Sequence, residues 1–451
     1  MVEDASVEIS KRMERYSSWP WSYSILVLVG FAYFFGLYDV LTIGVAAPTI
    51  GAQFGIPGPV VSSTGTIVSL IGYPIGAFVL SHISDSLGRK KALSISLITY
   101  SLGSLLTAVS TNIIEIYAWR VLTGIGIGAD LAIASAYLSE LSSSKSRGRF
   151  QSLGTFFGFT GAGIAPIIGY FLIPALSYGW RLYFIVGAVG AVVVLFYRKD
   201  LPESPRWYLM KGRIDDARKV VDRLESYQMK KHGSLPPLGE IEGGITTSDR
   251  KIPLLNLFSR KHGMRLIIVL VVFLFYYVYA YPFLGLTTSL LAASGYTIAT
   301  SLLVVGLGGL GFALGAFLSF IFADQMERKY LIAILFFVQG LSMWLIGIKT
   351  SVAEVVVADF IASFSNTFLA TMLYVYAAEN FPTSARSNGV AATDGLGHIA
   401  PIFMVGIAFS IFVAHGFYIT YLTLAVLAVV GGIIVLPGIR STTKKLEDIS
   451  G

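Results

Sequence analysis

The chain has no cysteine among its 451 residues, which excludes disulfides and thiolate metal sites. It is also short of charge: Asp, Glu, Lys and Arg make up 13% of it, about half the share of a soluble domain, while 55% is apolar and mean hydropathy is +0.72. No Gly-x-x-x-x-Gly-Lys-Ser/Thr loop is present to cradle nucleotide phosphates, and no His-Glu-x-x-His pair to hold a metal ion. A nucleotide-driven pump and a metalloenzyme therefore find no support, no enzyme activity is expected, and neither is a cofactor. The opening stretch is polar and charged, with no cleavage site after the first apolar run, so no signal peptide is expected.

What the chain does have is apolar runs near the length that a helix rising 1.5 Å per residue needs to cross about 30 Å of hydrocarbon. Twelve are expected, over 22–47, 59–82, 92–111, 114–140, 150–173, 180–197, 265–292, 298–322, 330–348, 353–378, 388–412 and 415–437. The fold class is an all-α membrane protein. Its parts are a cytoplasmic N-terminal segment (1–21), a six-helix bundle (22–197), a cytoplasmic linker (198–264), a second six-helix bundle (265–437) and a cytoplasmic tail (438–451). Within the linker, Ile214, Val220, Val221 and Leu224 stand near helical spacing among alternating charges, which predicts an amphipathic helix on the membrane surface. Nearly all Lys and Arg fall in alternate loops, so both termini are expected on the cytoplasmic side of the plasma membrane. The net charge of +7 is spread along that face as a topology signal, and no nucleic-acid partner is expected.

The chain also repeats itself. Asp85, Arg89, Glu140 and Arg147 recur as Asp324, Arg328, Glu379 and Arg386, each displaced by 239 positions. Register kept across that many residues implies packed helices of matched length, so the protein reads as a tandem duplication.

The turn around Asp85, Gly88, Arg89 and Lys90 resembles the signature between the second and third helices of the major facilitator superfamily, with Ser81 and Ser86 as departures. Arg120 followed by Gly124, Gly126, Gly128, Tyr137, Glu140 and Arg147, and then Pro202, Glu203, Ser204, Pro205, Arg206 and Trp207, are similar to the fourth span and the end of the sixth in its sugar-porter and organic-ion branches (aromatic acid, phosphate, SV2-like). The resemblance implies two pseudo-twofold related bundles that rock about a midplane cavity. It also implies a cytoplasmic gate built from Asp85, Gly88, Arg89, Glu140, Arg147, Glu203, Arg206, Asp324, Arg328, Glu379 and Arg386. Asp85 is expected to cap a helix across the interface between halves, and Arg89 to answer a carboxylate. Such a carrier works as a monomer in the lipid bilayer, with a small-molecule substrate and protons as its partners.

A hexose carrier presents amide side chains and a tryptophan to its ligand. Here the corresponding spans offer Tyr38, Phe157 and Thr160, then Tyr276, Tyr277 and Tyr279, then Asn366 and Tyr374, which suits an aromatic or apolar body with one charged end. Glycines of the fourth and fifth spans, Gly124 and Gly163 among them, suit either close packing or a sliding surface.

Ionisable groups inside spans are costly and mark sites. Asp39 and Arg120 stand where related proton symporters carry an acid and an arginine, so they are candidates for proton coupling. Asp130, about 15 Å along the same helix from Arg120, is a second proton or substrate site or a packing residue. Asp359 is the repeat partner of Arg120 with its sign reversed. Asp394 and His398, one turn apart, read as a gate, a cation site or a self-satisfied pair. The function implied is a proton-coupled secondary transporter of a small organic or aromatic acid. The alternatives are a proton-driven exporter of organic cations or drugs, or a sugar:proton symporter.

Overall fold

The computed structural model describes residues 2–143, 146–197, 201–238, 263–322, 325–348, 351–380 and 386–438. Among these the regular structure is helical: α1 Val2–Glu14, α2 Tyr23–Phe54, α3 Gly58–Leu87, α4 Arg89–Val109, α5 Ile113–Leu141, α6 Arg147–Leu172, α7 Gly179–Tyr197, α8 Pro205–Met210, α9 Ile214–His232, α10 Gly263–Ala293, α11 Ile298–Phe322, α12 Arg328–Ile348, α13 Val352–Asn380, α14 Arg386–Gly397 and α15 Ala400–Val435. Ten segments are long and apolar enough to cross a bilayer, and one of them, Thr393–Val435, holds two crossings; with α7 the total is twelve.

Local chemistry sets the ends. The Asn112 side chain accepts from the Glu115 N–H at 3.0 Å and Glu115 accepts from the Thr111 N–H at 2.7 Å, which closes the start of α5 with reciprocal caps. The eleventh span, expected as one run over 388–412, is broken between α14 and α15. Pro401 sits in the first turn of α15 and has no N–H to donate backwards, and it disfavours helical backbone at Ala400. The twelfth begins at Gly416, whose φ of 79° and ψ of −174° suit only glycine.

The duplication is visible in three dimensions. Helices α4 and α12, and likewise α5 and α13, begin and end at positions displaced by the same 239. In both halves a glycine of one helix meets a bare carbonyl of the next but one: a β-carbon at Gly76 of α3 would overlap the Ile125 oxygen of α5, and one at Gly315 of α11 the equivalent Phe364 oxygen of α13. Close approach of backbones is what small residues permit between membrane helices.

Helices α2–α7 and α10–α15 form the two sets of six crossings. They meet where α2 and α3 pack on α10, α3 on α15, and α6 on α11. The starts of α4, α6, α12 and α14, each an arginine, define one basic face of the molecule. On that face α9 buries Ala217, Val221 and Leu224 in a cluster that includes Ile9 and Met13 of α1. The amphipathic helix is present, and it is packed against protein. Arg12 binds Asp222 at 2.6 Å and Glu225, and the Glu225 hydrogen bond raises the Arg12 pKa above its ordinary value.

Candidate functional site

At the centre of the first half, Asp39 of α2 and Arg120 of α5 are at most 1% exposed and paired at 2.5 Å between Oδ1 and Nη1. Every nitrogen of the guanidinium is engaged: Nη1 also donates to Thr42 Oγ1 at 3.2 Å, Nη2 to the Asp39 carbonyl at 3.1 Å, and Nε to Ser69 Oγ at 3.2 Å. Phe184 of α7 covers the cation at 5.9 Å. Asp39 Oδ2 has no hydrogen-bond partner among the described residues. Spacing gave no hint of Thr42 or Ser69, because small hydroxyl residues are common in spans and most bond their own backbone.

Arg120 lines a cavity of about 30 Å³ with Val40, Thr66, Ser69 and Tyr73 from the first half and Tyr281 from the second. That space is enough to hold water. Away from the basic face, Ser62 Oγ lies 2.6 Å from Ser289 Oγ, and a β-carbon at Gly44 would press on the Gly285 carbonyl. Toward the basic face, the ring of His398 stacks on Tyr73, with centroids 4.7 Å apart and planes 11° from parallel. These contacts join the halves on either side of the cavity.

His398 is the centre of an aromatic cluster that joins the halves. Tyr277 lies 3.9 Å away and Tyr281 5.7 Å away, centroid to centroid. Asp394 Oδ1 accepts from the Tyr277 hydroxyl at 2.5 Å and from Tyr374 at 2.6 Å, and His398 Nδ1 stands 3.5 Å from that oxygen. Asp394 and His398 do touch, with two tyrosines added to the pair. Tyr73 was missing from the sequence-based set, since nothing in the spacing of α3 says which residue faces the other half.

Other expected lining residues lie elsewhere. Tyr38 packs on Tyr183 and donates to its carbonyl at 3.1 Å, on the α7 side of α2. Phe157 rests on Gly30 and Phe31, and Thr160 bonds back to the Phe156 carbonyl at 2.7 Å. Tyr279 is fully buried against Tyr276 and Phe336, and Asn366 is buried in α13. Asp130, fully buried, accepts from Ser96 at 3.1 Å and faces Gly36; its other oxygen has no partner among the described residues.

On the basic face each half has an equivalent arginine–glutamate pair. Arg89 binds Glu140 at 2.9 Å, and Arg328 binds Glu379 at the same 2.9 Å. Among the described residues Asp85 makes no cap across the interface and pairs with Arg89 at 2.5 Å, four residues away, because one turn of helix brings them together. Glu203 caps α4 instead, accepting from the N–H groups of Arg89 at 2.9 Å and Lys90 at 3.3 Å. Gly88, with φ 100°, makes room, since a β-carbon there would overlap the Glu203 carboxylate. Burial raises the Glu203 pKa above the ordinary carboxylate range, against the lowering effect of its N–H donors. Arg206 binds Glu14 at 2.7 Å and Arg147 opens α6. Asp324 and the side chain of Arg386 lie outside the described residues. Among the described residues no group of three His, Asp or Glu side chains is placed to hold a metal ion.

Comparison with known proteins agrees with the fold. The family model described as "Sugar (and other) transporter" matches residues 9–450. The chain is 31% identical to the Bacillus subtilis protein YyaJ over 84% of each chain. It is 27% identical to the niacin transporter NiaP of Acinetobacter baylyi, over 98% of this chain and 100% of that one. A partially occluded inward-open structure of the xylose transporter XylE from E. coli superposes with a TM-score of 0.76 at 18% identity, over 94% of this chain and 99% of the other.

Proposed function

The chain belongs to the sugar (and other) transporter family of the major facilitator superfamily, and from that premise we propose that it is a proton-coupled carrier of a small aromatic carboxylic acid. The observation that carries the reading is the buried Asp39–Arg120 pair, which borders a cavity shared by both halves. With Asp39 ionised, Arg120 is neutralised within the first half. A proton on Asp39 weakens that pairing and frees the guanidinium for a carboxylate from the solute, so proton and acid load together. Tyr73, Tyr281 and His398, at and beside the cavity, supply ring faces for an aromatic body. Niacin, named for one of the relatives, is such an acid.

Rocking of residues 22–197 against 265–437 would expose the cavity to each side in turn, with 198–264 as a linker at the cytoplasmic face of the plasma membrane. The Tyr73–His398 stack, the gate pairs Arg89–Glu140 and Arg328–Glu379, and the Glu203 cap are the contacts that such a motion must respect. The chain acts as a monomer.

One observation favours a second reading. Asp394, held by two tyrosines and partly open to solvent, suits an organic cation, which a proton-driven exporter would carry. Uptake into proteoliposomes with an imposed pH gradient, comparing nicotinate and benzoate with quaternary amines and xylose, separates the readings. Acid accumulation that rises with inward proton gradient and is lost in Asp39→Asn, with acid-for-acid exchange retained, is the expected result. Accumulation of amines or xylose alone, or an Asp39→Asn variant that still concentrates acid, would overturn it.

A further inference from the structure

Asp359 sits in the second turn of α13 and is 1% exposed. Neither of its carboxyl oxygens has a hydrogen-bond partner among the described residues. Asp39, Asp130 and Asp394 each keep an oxygen on a donor, so Asp359 is differently placed from all three. Its carboxyl lies on Gly308 of α11, where a β-carbon would overlap it. These two positions have exact repeat equivalents, displaced by 239: Arg120 and Ser69, which hydrogen-bond to each other in the first half. One half holds a guanidinium on a hydroxyl at this level, and the other holds a carboxyl on a bare glycine.

Among the described residues the surroundings offer no countercharge. Helix α11 carries no ionisable side chain, and α12 carries Arg328, Lys329 and Tyr330 at its far, basic end. From α10 come Tyr276, Tyr277, Tyr279 and Tyr281, with Arg265 at the basic end; from α6 come Tyr170 and, at its basic end, Arg147 and Arg149; from α14 come Asp394 and, as its first residue at the basic end, Arg386. Helix α15 brings His415, Tyr418 and Tyr421, of which Tyr421 is close enough to feel the Asp359 charge, yet its hydroxyl is committed to Thr287 Oγ1 at 2.7 Å. Glu354, in the first turn of α13 itself, is another acid. An ionised carboxylate in a spanning helix with neither donor nor cation costs several kcal/mol, which a bound proton removes.

The next residue of α11 gives this carboxyl a mechanical connection. Gly309 meets Gly163 of α6, the other half's helix, so closely that a β-carbon at 163 would overlap the Gly309 carbonyl. The same turn of α11 therefore touches Asp359 through Gly308 and the opposite half through Gly309. Rocking that parts α6 from α11 also shifts the surface that keeps water and donors away from Asp359.

We infer that Asp359 is a second proton-carrying site, in the second half, loaded while α11 is packed between α6 and α13 and released to water when the halves part. The protonation follows from the packing alone, whereas its use in coupling rests on the transport reading above.

The test uses the full-length protein in lipid. Infrared difference spectra on pH titration are expected to show a protonated aspartate band that persists at about neutral pH, shifts on carboxyl-13C aspartate labelling, and disappears in Asp359→Asn but not in Asp39→Asn. Asp359→Ala repeats the measurement should the amide variant aggregate. A band unchanged in both Asp359 variants overturns the assignment, and so does one that sodium displaces, since the occupant is then a metal cation. In proteoliposomes the proton-to-solute ratio is expected to fall by about one in Asp359→Asn with solute exchange intact, and an unaltered ratio removes the coupling role. If no acid is transported at all, the infrared result still stands and only the transport reading fails.

Discussion

The imidazole of His398 lies flat on the ring of Tyr73, one residue from each half, and Tyr73 also lines the Arg120 cavity. Offset aromatic stacking contributes about 0.5–1.5 kcal/mol beyond area burial, so removing one ring shifts an opening equilibrium by roughly two- to thirteenfold. The native absence of cysteine makes this directly measurable, because a single introduced thiol has no background. Thr66→Cys places that thiol in the cavity wall. Adding Tyr73→Ala is expected to raise its labelling by a small hydrophilic thiol reagent by at least about twofold, and equal rates in the two backgrounds would show that the stack is no barrier.

Arg120 and Asp39 form a pair that is worth little against a hydrophobic substitute but is costly to break. Arg120→Met leaves a buried carboxylate alone and is expected to destabilise the protein by about 3–5 kcal/mol. Adding Asp39→Asn removes the stranded charge and is expected to recover most of that loss. Unfolding in mild detergent measures both, and a double variant no more stable than Arg120→Met contradicts the electrostatic account.

This pair was legible in the sequence because an acid and a base inside apolar spans are each expensive, and mutual neutralisation is the cheapest resolution. The duplicated helices were legible because insertions would have broken the constant displacement between Arg89 and Arg328 and between Glu140 and Glu379. The break in the eleventh span had a signal in Pro401. What spacing does not encode is the rotation of a helix against neighbours distant in sequence. Tyr38 and Tyr279 look like lining residues along their helices and turn instead into their own halves, whereas Tyr73 reaches across to His398. Aromatic side chains fill core and cavity alike, and only tertiary packing distinguishes the two uses.

The pairs Arg89–Glu140 and Arg328–Glu379 share one geometry at 2.9 Å, with arginine side chains 9% and 6% exposed. Charge-assisted hydrogen bonds of this kind contribute about 1.5–3 kcal/mol. Double-mutant cycles with Gln at the acid and Met at the base are expected to give coupling energies in that range for both pairs. A coupling near zero in one half would mean that its pair is screened by water as surface pairs are.

Glu203 links the end of the first bundle to the start of α4, and burial sets its proton affinity. Its folded pKa lies above its unfolded one, so the native protein binds more protons between the two values and loses that stabilisation as pH rises through them. The window opens at the ordinary glutamate value of about 4.3 and extends upward. Glu203→Gln keeps an oxygen to accept from the Arg89 N–H and removes the titration. Thermal unfolding of the variant is therefore expected to lose the decline that the native protein shows as pH rises through that window. A native profile that instead gains stability across it because of Glu203, with the variant flat, would mean that the N–H donors of α4 outweigh burial and that the carboxylate form is the one the cap selects.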